Sequence, residues 1–255
     1  MKVKKHHLIS IFLAAMLLYP SVLLANQEIY NDFYQRFLNA RSYQNTEEIS
    51  TLIKNLEDIL TKINNPHIYD FKVLLAECYL EYGNLFKTEK ERKFYFEKAL
   101  SLSQEIISIQ QNNGKAYYIA AISTSRLIEY ANIFQKLSLL NNFDDYMSKA
   151  IKYLSEDVYK GFAYMGFAVR YMNPPWPFND YNKSDIYFKE AQKYIGDYSG
   201  LYLHWGYLYL KTNKKQKALE MFKKVVSMEA HKLFFKAHAE NVIIAKEEIK
   251  KLKDD

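Results

Sequence analysis

The chain has one cysteine, Cys78, seven glycines and five prolines in 255 residues. A lone cysteine excludes an intramolecular disulfide in any compartment, so packing has to supply the stability. Scarce glycine and proline leave little turn material; this argues against a many-stranded β fold and suits long helices joined by short connections. There is no glycine-rich phosphate loop, nucleophile elbow or zinc-ligand spacing. No pair of carboxylates stands out as acid and base, and Glu247 and Glu248 read as surface charge. The expectation is a protein that is not an enzyme and needs no cofactor.

What is abundant is apolar and aromatic: hydrophobic residues make up 49 % and aromatic ones 16 %, enough to bury a sizeable core. Residues 1–25 read as an export leader, with Lys2, Lys4 and Lys5 ahead of an apolar run from Leu8 to Leu18, then Pro20 and a cut after Ala25. The alternative is an uncleaved anchor, because residues 8–25 approach the length of a bilayer span and Leu23 is bulky for a position three before a cut. The leader has no cysteine to acylate, which excludes a lipoprotein. Removing its three lysines takes the formal net charge from +6 to +3. That is mildly basic and not a nucleic-acid signature. The expected location is periplasmic or secreted, with residues 26–255 forming one helical-repeat domain.

From Leu201 to Val226 the order is Tyr202, Trp205, Gly206, Tyr209, then Ala218, Phe222 and Val225. Rings and small residues at these offsets are those of a tetratricopeptide helix-turn-helix unit. The spacing predicts that Gly206 and Ala218 let two helices cross closely, with rings filling the flanks.

Earlier units follow the same plan more loosely. Helices are predicted over 28–40 and 46–63, the second capped by Asn45 or Thr46 and stopped at Asn64, Asn65 and Pro66. Residues 68–82 and 90–108 form a pair with a longer turn. A third pair runs over 114–133 and 143–154, with a stretched connection at 137–142. The fourth starts at Val158 and returns through Ser184, Phe188 and Ala191, its turn stiffened by Pro174, Pro175 and Pro177. A charged helix over 231–252 closes the stack as a cap. The expected fold is therefore all-α: a tetratricopeptide-like helical-repeat solenoid of about five helix pairs with a terminal capping helix.

The segment GFAYMGFAVRYMNPPWPFNDYNKSDIYFKEA, with the later LYLHWGYLYLKTNKKQKALEMFKKVV, resembles the T component associated with TRAP transporters. The likeness covers roughly residues 67–230, and Pro-Pro-Trp-Pro-Phe is its more specific part. It implies an all-helical envelope protein that assists capture of apolar organic acids and can self-associate. This chain departs from that pattern in lacking the acylated cysteine and in carrying Asn179 where glycine often precedes the Asp180 position.

In such a stack the inner surface is lined mainly by first helices, one residue off the packing set. Counting from Ala76, Ala121, Gly166 and Gly206 gives Val73, Glu77 and Leu80; Tyr118, Ile122 and Arg126; Ala163, Phe167 and Arg170; and Leu203, Tyr207 and Leu210. These residues would form a groove for an apolar chain whose carboxylate Arg126 or Arg170 holds bidentately, or else they are ordinary core with paired arginines. Trp176 and Phe178 sit on the proline loop, either at a ligand mouth or partner contact or folded back as a lid. His231 and His238 are seven apart and could share a helix face, though no further ligand accompanies them, so no metal is expected. Cys78 reads as a small buried hydrophobe, and the lysines at 211, 214, 215 and 217 as a solvated turn.

The leading expectation is an exported, non-catalytic binding protein. Its partners would be a periplasmic solute-binding or other envelope protein and an apolar organic anion, with self-association possible and nucleic acid excluded. The alternative is an envelope scaffold without a small ligand.

Overall fold

The computed structural model describes residues 27–62, 67–155, 157–174 and 178–254. The leader and Trp176 lie outside the described residues. Eleven α-helices follow one another with no strand among the described residues: α1 (27–43), α2 (Thr46–Leu60), α3 (Ile68–Leu85), α4 (Glu89–Ile109), α5 (Gly114–Leu127), α6 (Ile133–Tyr153), α7 (Asp157–Met172), α8 (Tyr181–Ile195), α9 (Ser199–Lys211), α10 (Lys215–Ser227) and α11 (Phe235–Asp254). A 3-10 turn, Ile128–Tyr130, follows α5. Five antiparallel pairs and a terminal helix result, as the repeat pattern predicts.

Short polar side chains set the boundaries by accepting amide hydrogens that a helix start leaves unpaired. Asn45 caps α2 through Glu48 N (3.1 Å), Asn113 caps α5 through Ala116 N (3.0 Å), and Asp180 caps α8 through Lys183 N (2.9 Å). Two tight turns use left-handed backbone, at Gln44 (φ 51°) before α2 and Asn213 (φ 56°) before α10. Asparagine tolerates that conformation well, and glutamine less so.

Within the pairs, apolar stripes meet. Phe37, Phe71, Phe96, Phe188 and Phe222 are fully buried, one to a helix on α1, α3, α4, α8 and α10. Trp205 and Tyr209 of the best-matching unit both donate to Asp185 Oδ1 of α8, at 2.8 and 3.0 Å, fastening the fifth pair to the fourth.

Four expectations change. Residues 137–142 belong to α6 and are not a connection. Asn132 and Gln135 form a reciprocal capping box that starts the helix at Ile133, and the turn is spent on 128–132. Gly206 does not meet Ala218 small-against-small: a Cβ there would lie 2.5 Å from Cε1 of Phe222, so the glycine makes room for that ring. Gly166 opens toward Met147 of α6, in the preceding pair, where a Cβ would come 2.8 Å from Cε. The last helix begins at Phe235, so His231 precedes it and shares no helix face with His238.

The two ends of the stack touch. Ser42 Oγ donates to the Lys232 carbonyl (2.9 Å) and accepts from Phe235 N (3.3 Å). The rings of Tyr43 and Phe235 stack at 5.5 Å, and Gln44 Nε2 reaches Glu240 Oε2 at 3.4 Å. The solenoid is thus a ring closed by the segment between α10 and α11, and the first helices α1, α3, α5, α7 and α9 face its interior.

Candidate functional site

The interior is built around Arg41, which is 9 % exposed. Its Nη1 donates to the Tyr159 hydroxyl at 3.4 Å and lies 3.8 Å from Glu77 Oε1. Tyr159 in turn donates to the Glu77 carboxylate, so α1, α3 and α7 share one buried relay. The guanidinium also lies 5.2 Å from the ring centres of Phe37 and Phe234. Burial alone would lower the arginine's pKa, but Tyr159, Glu77 and Glu81 outweigh it and hold Arg41 charged. Burial pushes the Tyr159 hydroxyl up, and Glu77 adds to the effect. Phe234 completes this end as an aromatic plug, packed edge-on to Phe162 at 5.3 Å and tilted on Tyr198 at 4.9 Å.

Beside the relay is a second group: Glu81 on α3, Tyr118 and Arg126 on α5, Tyr198 before α9, and His204 on α9. All five are half-buried. For Glu81, Tyr118, Tyr198 and His204, desolvation is the largest influence on titration. Burial raises Glu81, with Arg41 pulling the other way; it raises Tyr118, raises Tyr198 to about 12, and lowers His204 together with the Arg126 charge. Among the described residues, no hydrogen bond reaches the hydroxyls of Tyr118 or Tyr198, the His204 ring or the Arg126 guanidinium, whose Nε is buried. Glu81 bonds only to Asn84 of its own helix. Polar tips in such surroundings need water or a ligand as partner.

Of the lining candidates read from the sequence, Glu77, Tyr118 and Arg126 meet in this interior. Ile122 is half-buried and packs against the cores on either side of α5. Phe167 lies between helices, against Phe143 and Tyr187. Arg170 is clamped bidentately on Asp144 (2.9 and 2.8 Å) and donates to the Phe178 carbonyl (3.0 Å), so it ties Phe178 to α6. Leu203 is core, and Tyr207 packs edge-on to Phe222. Phe178 is 45 % exposed.

The interior residues not anticipated are Arg41, Glu81, Tyr159, Tyr198, His204 and Phe234. Two had a visible mark: Glu81 lies one turn after Glu77 on a mainly apolar helix, and His204 interrupts the apolar run of α9.

Two open grooves stand out among the described residues. One, of about 300 Å³, is lined by Lys93, Leu127, Tyr130 and Leu139, close to the exposed Ile133 (67 %), Phe134 (83 %) and Leu137 (40 %). The other, of about 270 Å³, is lined by Tyr30, Asp70, Lys115 and Tyr153. Among the described residues no cluster of three metal-binding side chains occurs, and no helix is long and apolar enough to cross a membrane.

The crystal structure of TTC0263, a thermophilic TPR protein of Thermus thermophilus, is similar to this chain with a TM-score of 0.54 and 15 % identity. The match covers 77 % of this chain and 92 % of that one. At that identity the likeness speaks for the fold, a tetratricopeptide-type stack. No curated protein matches the sequence. Residues 35–176, more than half the sequence and the span that supplies Arg41, Glu77, Glu81, Tyr118 and Arg126, match the family described as regulator of microtubule dynamics protein 1-3 (RMD1-3), and the chain belongs to that family.

Proposed function

We propose that this protein is an exported, non-catalytic helical-repeat protein that holds a small organic acid with an apolar body inside its ring. It would hand that acid to, or receive it from, a periplasmic solute-binding protein, as an accessory of TRAP-type uptake. One observation carries the reading: Arg126 is half-buried, its Nε is buried without a hydrogen-bond partner, and no acid lies within ion-pair distance of it among the described residues. A guanidinium in low dielectric is the side chain best suited to bind a carboxylate by two parallel hydrogen bonds. The leader pattern and the likeness of residues 161–191 to T components support export and the transport setting. The family's name speaks of regulating microtubule dynamics; what this chain is proposed to share with that family is the helical framework.

Mass spectrometry of small molecules retained by the purified mature protein tests the reading. A bound organic acid that is lost in Arg126→Gln supports it, whereas a preparation with no retained acid, and no binding of added ones, refutes it.

A second reading, an interaction scaffold without a small ligand, draws on the exposed Phe94, Ile133 and Phe134 beside the groove lined by Lys93, Tyr130 and Leu139. Substituting Phe134 by Glu would abolish partner capture under that reading and leave ligand retention untouched.

A further inference from the structure

We propose that His231 is an acid-sensitive latch: a proton on its Nδ1 unmakes the turn that closes the stack and so opens the interior. This goes beyond the ligand reading and stands apart from it, because it concerns the closure and not the occupant.

A tight turn in the segment between α10 and α11 is built on one imidazole. The Leu233 amide donates to His231 Nδ1 at 3.1 Å, and the Phe234 amide donates to the His231 carbonyl at 2.9 Å. A backbone N–H only donates, so Nδ1 holds a lone pair and the proton of the neutral imidazole sits on Nε2, 3.5 Å from Asp197 Oδ2. The same turn sets the two groups that reach the first pair, the Lys232 carbonyl and the Phe235 amide, both bonded to Ser42 Oγ. It also seats Phe234, whose ring centre lies 5.5 Å from that of His231 and 5.2 Å from the Arg41 guanidinium.

Protonation turns Nδ1 from an acceptor into a donor. Two N–H groups then face each other, and the Leu233 amide loses its partner. The new charge is also poorly placed, since the His231 side chain is only 11 % exposed. Asp197, in the turn between α8 and α9, favours it but is largely in water; Lys232 of the segment itself and Arg41 of α1 oppose it, and Tyr198 stays neutral. Burial is the largest of these influences and holds His231 below the ordinary 6.5. The closed form therefore rejects a proton that the open form accepts, and falling pH favours opening.

The test is amide exchange of the mature protein at about pH 7.5 and about pH 5.5, either side of the ordinary histidine value, expressed as protection relative to an unstructured chain at the same pH. Protection of the Leu233 and Phe235 amides should fall several-fold at the lower pH, with about tenfold as the ceiling that a single histidine sets over that range. The amides of α9 should keep theirs. His231→Asn puts a carboxamide oxygen in place of Nδ1, able to accept from the amide two residues on and unable to take up the proton. That variant should match the unaltered protein at neutral pH and lose the acid response, whereas His204→Gln should keep it. An acid response that persists in His231→Asn, vanishes in His204→Gln or is absent from the unaltered protein overturns the proposal. If His231→Asn does not fold, nitrogen NMR of the unaltered imidazole decides. A neutral form protonated on Nε2 that gains its second proton as Leu233 loses protection supports the latch, and a neutral form protonated on Nδ1 overturns it.

Discussion

The Ser42 hydroxyl and the Lys232 carbonyl, 190 positions apart, meet at 2.9 Å and close the stack on itself. In an open solenoid each repeat touches only its neighbours. Here the first pair is also held by the segment that leads into the last helix, which is why the inner face is enclosed.

Ser42→Ala removes that bond and the acceptor for Phe235 N. The expected loss is about 1 kcal/mol of stability, measured by denaturant melts. Amide exchange over residues 231–236 should speed up while the core helices keep their protection. Uniform behaviour across the chain would mean that the closure carries no local stability.

Gly206→Leu forces side-chain atoms into the space of the Phe222 ring, where even a Cβ would be 2.5 Å from Cε1. Overpacking of this kind costs about 1–3 kcal/mol. The partner is now identified, so a sharper check exists: combining Gly206→Ala with Phe222→Leu should cost less than the sum of the two single changes. Additive melts would place the crowding elsewhere.

Arg41 and Glu77 are the most buried opposite charges among the described residues. Glu77→Leu strands the arginine and should cost about 3–5 kcal/mol, whereas the double change Arg41→Met with Glu77→Leu should cost markedly less. Thermal unfolding of the three variants checks this; equal losses for single and double changes would show that the relay through Tyr159 is not electrostatic.

How much of this was legible in the sequence follows from what each pattern encodes. The five pairs were readable because apolar stripes and Asn or Asp caps are local signals, and Asn45, Asn113 and Asp180 do what their residue types suggest. Tyr118 and Arg126 turn inward because α5 keeps the register counted from Ala121. On α7 and α9 the count failed. Gly166 opens toward Met147 of the preceding pair and Gly206 toward the Phe222 ring, so neither marks the crossing assumed, and Tyr159, Phe162 and His204 turn inward in place of Phe167 and Tyr207. Arg41 and Phe234 could not be found at all, since their roles depend on the meeting of the two ends, which no short-range pattern records.

His204 gives a pH signature. Burial and the nearby Arg126 charge lower its pKa below the ordinary 6.5, so the unfolded chain takes up the proton more readily than the folded one. The stability tied to this group is complete above pH 6.5 and is lost as the pH falls toward the lowered value. His231 is lowered by burial too and acts in the same direction. Melting temperatures between pH 7.5 and 5.5, a range of about 1 unit either side of that value, should therefore fall less in His204→Gln than in the unaltered protein. Parallel curves would show that His204 titrates as if in water.

The bond between Ser42 and Lys232 also governs when the protein can finish forming. A chain made from its N-terminus completes α1 early, but the groups that lock that helix emerge some 190 positions later. Until then Arg41 has Phe37 beneath it but lacks Phe234, and the nascent rod keeps an unfinished, sticky inner wall. Sealing belongs to the last moments of biogenesis, and any molecule destined for the inside has that open interval in which to enter.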